Sequence, residues 1–218
     1  MRAFASSTIG KKVIMAVTGV IMVVWVFLHM AGNLQVFEGA EKIDRYGAFL
    51  QGTTELLWPM RIILLVALVL HVWAAVSLTL RNRTARPVGY REREPQVTTF
   101  AARSLKVGGV IILLFVIFHV LHFTTGTIHP NNPTFAHATI YRNLILAFQV
   151  WWVVLIYVVA MIFLALHFYH GVWSSARTLG VTRPKVRPLQ RPFALAVALI
   201  VWLGFTAVPV AIFAGLLH

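Results

Sequence analysis

Five stretches of the chain run as long apolar blocks, and they set the architecture. Residues 13–31, 62–80, 107–125, 148–173 and 193–217 contain no Asp, Glu, Lys or Arg, and the fourth lies inside a longer uncharged run, 143–176. Each block reaches the roughly 20 mainly apolar residues that a helix needs to cross a bilayer. The pattern predicts an all-α integral membrane bundle of five transmembrane helices, with Pro209 as an expected kink in the last. The first block has the length of a true span and lacks a small-residue cleavage site. It therefore reads as a retained helix rather than a signal peptide.

The polar segments between the blocks are short. Residues 33–61 mix both charge signs and include Gly39, Gly47 and Gly52. Residues 81–106 are strongly basic. Residues 126–142 carry Pro130, Asn131, Asn132 and Pro133, a turn signature. Residues 174–192 hold Pro184, Pro188 and Pro192 among basic residues. None is large enough for a separate domain, so residues 1–218 read as one membrane domain without clear internal repeats.

Composition agrees with the pattern. Of 218 residues 59% are hydrophobic and 11% charged, against about 45–50% and about 25% in soluble domains. The net charge of +13 is unevenly placed. Fifteen Lys and Arg lie in the N-terminal segment and the second and fourth connections, and four (Lys42, Arg45, Arg61, Arg142) lie on the other side. Two acidic residues, Glu92 and Glu94, accompany the fifteen, and four (Glu38, Glu41, Asp44, Glu55) accompany the four. The whole excess thus falls on one side. The positive-inside rule makes that side cytoplasmic, with the N-terminus inside and the C-terminus outside. It also explains the basic charge through topology and anionic lipid rather than nucleic acid.

The chain has no cysteine. That excludes disulfides, thiolate-held zinc, iron–sulfur clusters ligated by this chain and CxxCH haem attachment. It has nine histidines, and six fall inside the predicted spans: His29, His71, His119, His122, His167 and His170. Ionisable side chains at membrane depth are costly and mark functional sites by default. A single buried histidine often makes only an interhelical hydrogen bond. Six over four helices point further. No carboxylate lies in any span, which disfavours a di-iron or di-manganese bundle and a carboxylate proton relay. Neutral imidazoles in an apolar bundle suit bis-histidine haem iron.

Depth sorts these residues. At 1.5 Å rise per residue from the cytoplasmic end of each span, His71 lies about 14 Å deep and His167 about 10 Å. His29 lies about 24 Å deep and His119 about 18 Å. The result is an inner pair and an outer pair, about 9 Å apart in depth. His122, at about 22 Å, competes with His119, and His170 competes with His167, each three residues along the same helix. Spacing leaves both choices open. The second histidine of each couple has an alternative role as a partner of a haem propionate, a quinone or a backbone carbonyl.

The chain at these residues resembles the five-helix, dihaem cytochrome b subunit of succinate:quinone oxidoreductases, the succinate dehydrogenases and fumarate reductases. The resemblance runs through Ser7-Thr8-Ile9-Gly10-Lys11-Lys12, Met15-Ala16-Val17-Thr18-Gly19 and His29-Met30-Ala31-Gly32-Asn33-Leu34. It continues through His71 and through Phe115-Val116-Ile117-Phe118-His119-Val120-Leu121-His122-Phe123. It ends with Leu166-His167-Phe168-Tyr169-His170-Gly171-Val172-Trp173-Ser174 and Thr178-Leu179-Gly180. It spans roughly the whole chain. In that family the last ligand stands four positions before a Gly and is followed by an aromatic–Ser pair, which matches His167 with Gly171 and Trp173-Ser174. The third-helix ligand matches His119.

The resemblance implies two b haems, one held near the cytoplasm by His71 and His167, the other by His29 and His119. It implies a flavoprotein subunit with FAD and an iron–sulfur subunit docked on the cytoplasmic face of a cell's inner membrane. It also implies electron delivery to quinone, with menaquinone expected, and it leaves oligomerisation of the whole complex open. This chain itself has no residues for succinate oxidation. Asp44 and Glu55, on the outer side, are candidates for handling quinone protons. For any one such residue, a solvated loop charge is the plainer reading. Tyr46, Trp58 and Tyr141 suit either a quinone pocket or an interfacial aromatic belt. Arg81, Arg83, Lys106 and Arg177 lie where inner propionates would end, and charge bias alone also explains them. Alternative readings are the cytochrome b subunit of another quinone-linked oxidoreductase, such as a formate dehydrogenase or hydrogenase, and a non-catalytic haem or metal carrier.

Overall fold

The computed structural model describes residues 2–85, 100–129, 139–181 and 183–218. Among them there is no strand. Five helical segments are long and apolar enough to cross a membrane, and the chain is a multi-pass, all-α membrane bundle. The helices are α1 (Arg2–Ser6), α2 (Thr8–Leu34), α3 (Ala40–Gly52), α4 (Thr54–Thr84), α5 (Phe100–His119), α6 (Ile140–Phe148), α7 (Trp151–Thr178) and α8 (Gln190–Phe213). The five spans are α2, α4, α5, α7 and α8, in the order the apolar blocks predict. Arg86, Arg91 and Arg93, with Glu92 and Glu94, lie outside the described residues.

The helices begin and end where caps place them, not where hydropathy changes. Ser7 stands before α2 in extended conformation and its hydroxyl accepts from the Gly10 N–H at 2.9 Å. Helix α2 therefore starts five residues before the apolar block and carries Lys11 and Lys12 on its first turns. Orphan N–H groups at a helix start need such an acceptor. At the C-termini of α7 and α8 the chain turns through Gly180 (φ +85°) and Gly215 (φ +74°). Val181 N–H donates to Ala176 O at 2.8 Å and Leu216 N–H to Ala211 O at 2.9 Å. These are paired six-to-one caps that require a left-handed residue, hence glycine.

Most boundaries differ from the sequence expectation: α4 starts at Thr54 rather than at residue 62, α5 at Phe100 rather than 107, and α7 ends at Thr178 rather than 173. The last helix ends at Phe213 rather than at residue 217, because the Gly215 cap closes it. It runs through Pro209 without interruption. The expected fourth span starts three residues late, because Val150 is extended (φ −92°, ψ 112°) and separates α6 from α7. Phe148 belongs to α6 and is buried in the core. The connections 33–61 and 126–142 are not simply loops, since they contain α3 and the start of α6.

The fourth and fifth spans pack together most extensively. The first span packs on the second, the third on the fourth, and the first also touches the fourth and fifth. Neither the first and third spans nor the second and fourth are close-packed neighbours along their lengths. Large apolar side chains such as Leu65, Val69, Leu114 and Leu203 are exposed, as lipid-facing positions are. We call the two ends inner and outer after the charge asymmetry. At the outer end α3 and α6 form a cap. Val36, Ile43, Leu144, Phe148, Val153, Val208 and Ile212 make one buried cluster there. Further in, Phe168, Val197, Ala198 and Val201 make a second.

The cap sits close to α2 at Gly32. A Cβ at Gly32 would stand 2.7 Å from Tyr46 Cε1 and 3.1 Å from its hydroxyl. Gly32→Val should lower stability by about 1–3 kcal/mol through overpacking. In thermal unfolding of the detergent-solubilised protein, Tyr46→Ala added to Gly32→Val should recover part of that loss. Additive losses would contradict a direct clash.

Candidate functional site

The six intramembrane histidines come from four spans, and the packing brings four of them into two facing pairs. The inner pair is His71 of α4 and His167 of α7, with ring centres 6.0 Å apart and planes at 59°. His71 is fixed from α2. Its Nδ1 lies 3.1 Å from the Met15 carbonyl oxygen and 3.2 Å from Thr18 Oγ1. A carbonyl only accepts, so Nδ1 carries the proton and Nε2 keeps a bare lone pair. Thr18 is buried and its hydroxyl donates to Ile14 O at 2.7 Å. Gly19 closes the same corner, where a Cβ would touch His71 Cε1 at 3.4 Å. His167 Nδ1 is buried without a partner.

His170 is not the ring that faces His71. It meets Trp173 edge-on at 5.1 Å, and its Nδ1 is also buried without a partner. The Trp173 ring has the Arg177 guanidinium 4.9 Å and the Arg191 guanidinium 5.3 Å from its centre. Arg177 also donates to Gln190 Oε1, and the Gln190 amide donates to Val181 O. These contacts stitch the inner ends of α7 and α8 together.

The outer pair is His29 of α2 and His119 of α5, with ring centres 5.7 Å apart and planes at 83°. His29 lies between Trp25, stacked at 6.1 Å, and Phe205 at 5.8 Å. Asn33, one turn on, donates to His29 O at 2.8 Å and to His29 Nε2 at 3.2 Å. His119 packs on Phe115 and Phe123, and its Nδ1 is 3.1 Å from the Tyr157 hydroxyl. The backbone after His119 widens into a π turn closed by Thr125 N–H to Val120 O. Such turns are often found at functional sites. His122 lies in that turn and is completely buried. It packs on Phe123 at 4.1 Å and on His129 at 4.9 Å rather than facing His29.

Two residues here have no counterpart in the sequence reading. His129, just beyond the third span, is buried and donates through Nε2 to Asn143 O at 2.9 Å. Tyr157 brings His119 and His122 to one hydroxyl, with His122 Nδ1 at 3.0 Å. The signal for Tyr157 was present, since it is one of two phenols, with Tyr169, inside the fourth apolar block, and a phenol is a polar group at membrane depth. His129 had none, because its burial depends on how the chain folds back onto α6.

The donor set fits a flat group that brings its own equatorial ligands. With metal–nitrogen bonds of about 2 Å, two imidazoles on opposite sides of one metal ion have ring centres about 6 Å apart. Each pair bridges two spans that are not close-packed on each other. Among the described residues no three His, Cys, Asp or Glu converge to cage a bare ion. A haem needs only two axial side chains. Ligation through His29 Nε2 would replace its contact with Asn33. The pairs lie further apart than the sequence arithmetic gave. His71 meets α2 at Met15 to Gly19, so His29 stands about 15–21 Å further along that helix. The 9 Å expectation measured depth from hydropathy edges, and the helices overrun those edges by unequal amounts.

The other predicted site residues are placed as follows. Asp44 Oδ1 accepts from the Tyr141 N–H at 2.9 Å and so caps the first turn of α6 from α3. Glu55 is exposed in the first turn of α4. Trp58 is exposed beside Arg61, and Tyr141 donates to the His218 carbonyl at 3.2 Å. Arg81 donates to Ser6 O at 3.2 Å, while Arg83 and Lys106 are exposed. Comparison with protein-family models, curated proteins and solved structures gives no match.

Asp44→Ala should cost about 1 kcal/mol by removing the cap. Asp44→Asn keeps an acceptor and should stay within about 0.5 kcal/mol of the parent. Equal losses in thermal unfolding of the two variants would contradict a capping role.

Proposed function

We propose that this chain is the membrane-anchor cytochrome b subunit of a succinate:quinone oxidoreductase in a cell's cytoplasmic membrane. The observation that carries the reading is the pairing itself. His71 faces His167 and His29 faces His119, each across two spans that are not close-packed. These are the two pairs that the family resemblance implies.

In this reading His71 and His167 hold the inner haem b, and His29 and His119 hold the outer one. Bound there, haem b supplies one-electron transfer between an iron–sulfur partner and quinone, with menaquinone the expected quinone. The protein's own part is to fix and shield the ligands. Met15 O and Thr18 hold the His71 ring with Nε2 directed away from α2. Trp25, Phe115, Phe123 and Phe205 surround the outer pair with apolar surface. A dry, apolar shell controls the dielectric at a redox centre. FAD and the iron–sulfur clusters belong to partner subunits, and the absence of cysteine rules out cluster ligation by this chain. The basic inner segments, including Lys11, Arg81, Arg83 and Lys106, are the docking side for those partners.

The test is haem content per chain, by redox-difference spectroscopy of the native purified complex, with identification of its subunits. Two b haems per chain and co-purifying flavoprotein and iron–sulfur subunits are expected. Zero or one haem overturns the two-site reading, and absence of a flavoprotein overturns the succinate assignment. His167→Ala should remove one haem and His170→Ala neither. The reverse result would show that the inner ligand is misassigned.

A further inference from the structure

We infer that Tyr157 is the positioning residue of the outer site: its hydroxyl fixes the proton of His119 on Nδ1, presents Nε2 as the ligand atom and holds His122 out of ligation. The inference rests on the dihaem reading and concerns a residue that reading does not use. Three features carry it. The Tyr157 oxygen lies 3.1 Å from His119 Nδ1 and 3.0 Å from His122 Nδ1, so one hydroxyl serves both rings. The tyrosine is buried, with Phe115 edge-on at 5.0 Å and Phe148 edge-on at 4.9 Å, so its ring cannot swing away. The π turn after His119 sets both histidines on the Tyr157 side of α5.

The hydrogen-bond direction follows from valence. An imidazole that coordinates through Nε2 keeps its proton on Nδ1, so His119 donates to the Tyr157 oxygen. The tyrosine has one proton of its own, and His122 Nδ1 is the acceptor within reach. His122 then carries its proton on Nε2, the atom that is buried without a partner. In that tautomer His122 has no bare nitrogen to offer a metal. One phenol thus makes His119 the ligand and His122 its support. This decides a choice that spacing along α5 leaves open.

The electronic consequence has a definite sign. An acceptor on Nδ1–H raises the basicity of a ligating imidazole. A more basic ligand favours the oxidised metal, so loss of the acceptor raises the midpoint potential. Donation of the tyrosine proton to His122 makes the phenol oxygen a better acceptor.

The experiment is a redox titration of both haems in the intact complex, comparing the parent protein with Tyr157→Phe and His122→Gln. The expected result for Tyr157→Phe is two haems per chain, an upward shift in the midpoint potential of one and no shift in the other. His122→Gln should also retain both haems and give a smaller upward shift of the same haem. Unchanged potentials in Tyr157→Phe overturn the inference, as does loss of a haem in His122→Gln. If Tyr157→Phe does not accumulate or loses its outer haem, His122→Gln decides: a shift confined to one haem upholds the inference, and unchanged potentials overturn it. Failure of the underlying reading is separate, since it appears as missing haem in the parent complex.

Discussion

The interior of this bundle depends on one arrangement, an imidazole held at one nitrogen and directed at a second imidazole across the membrane interior. Hydrocarbon offers no hydrogen bonds, and an unsatisfied polar group there costs several kcal/mol. His71 answers that cost with the Met15 carbonyl and Thr18, and His119 with Tyr157. Each anchor takes one ring nitrogen and leaves the other free. Each ring meets a histidine from a span that does not pack closely on its own. Close packing of α2 on α4 and of α5 on α7 therefore coexists with two polar layers between them.

The two ends of the molecule support those layers differently. At the outer end α3 and α6 form a lid of short helices, tied by Asp44 to the start of α6 and closed against α2 at Gly32. This makes the outer layer the more enclosed, and there His122 and His129 are buried with Tyr157. At the inner end the Trp173 ring, flanked by Arg177 and Arg191, ties α7 to α8 beside His170. The charge asymmetry matches this difference. Basic side chains crowd the end where, in the proposed assembly, soluble partners sit, and the lidded end is neutral.

Much of this was legible in the sequence because the bilayer imposes simple rules. Span number and order follow from apolar length, and the division of the histidines into an inner and an outer set follows from depth along helices of fixed rise. Helix ends were less legible because caps decide them. Ser7 extends α2 beyond its apolar block, and Gly215 stops α8 within one. The break at Val150 lies inside uninterrupted apolar sequence, where hydropathy carries no signal. The capping role of Asp44 was not legible because it depends on α6, nearly a hundred residues later. The contest between His119 and His122 could not be settled by spacing, since both lie on one side of α5. Tyr157, whose hydroxyl reaches both rings, is a contact between helices that spacing along one helix does not show.

The central claim is that four histidines form two ligand pairs, each shared between two spans. Low-temperature electron paramagnetic resonance of the purified complex tests it most directly. The parent protein should show two distinct low-spin ferric signals. His29→Ala and His119→Ala should each remove the same signal, and His71→Ala and His167→Ala should each remove the other. Loss of different signals by two members of one pair, or no low-spin signal in the parent complex, would contradict the account.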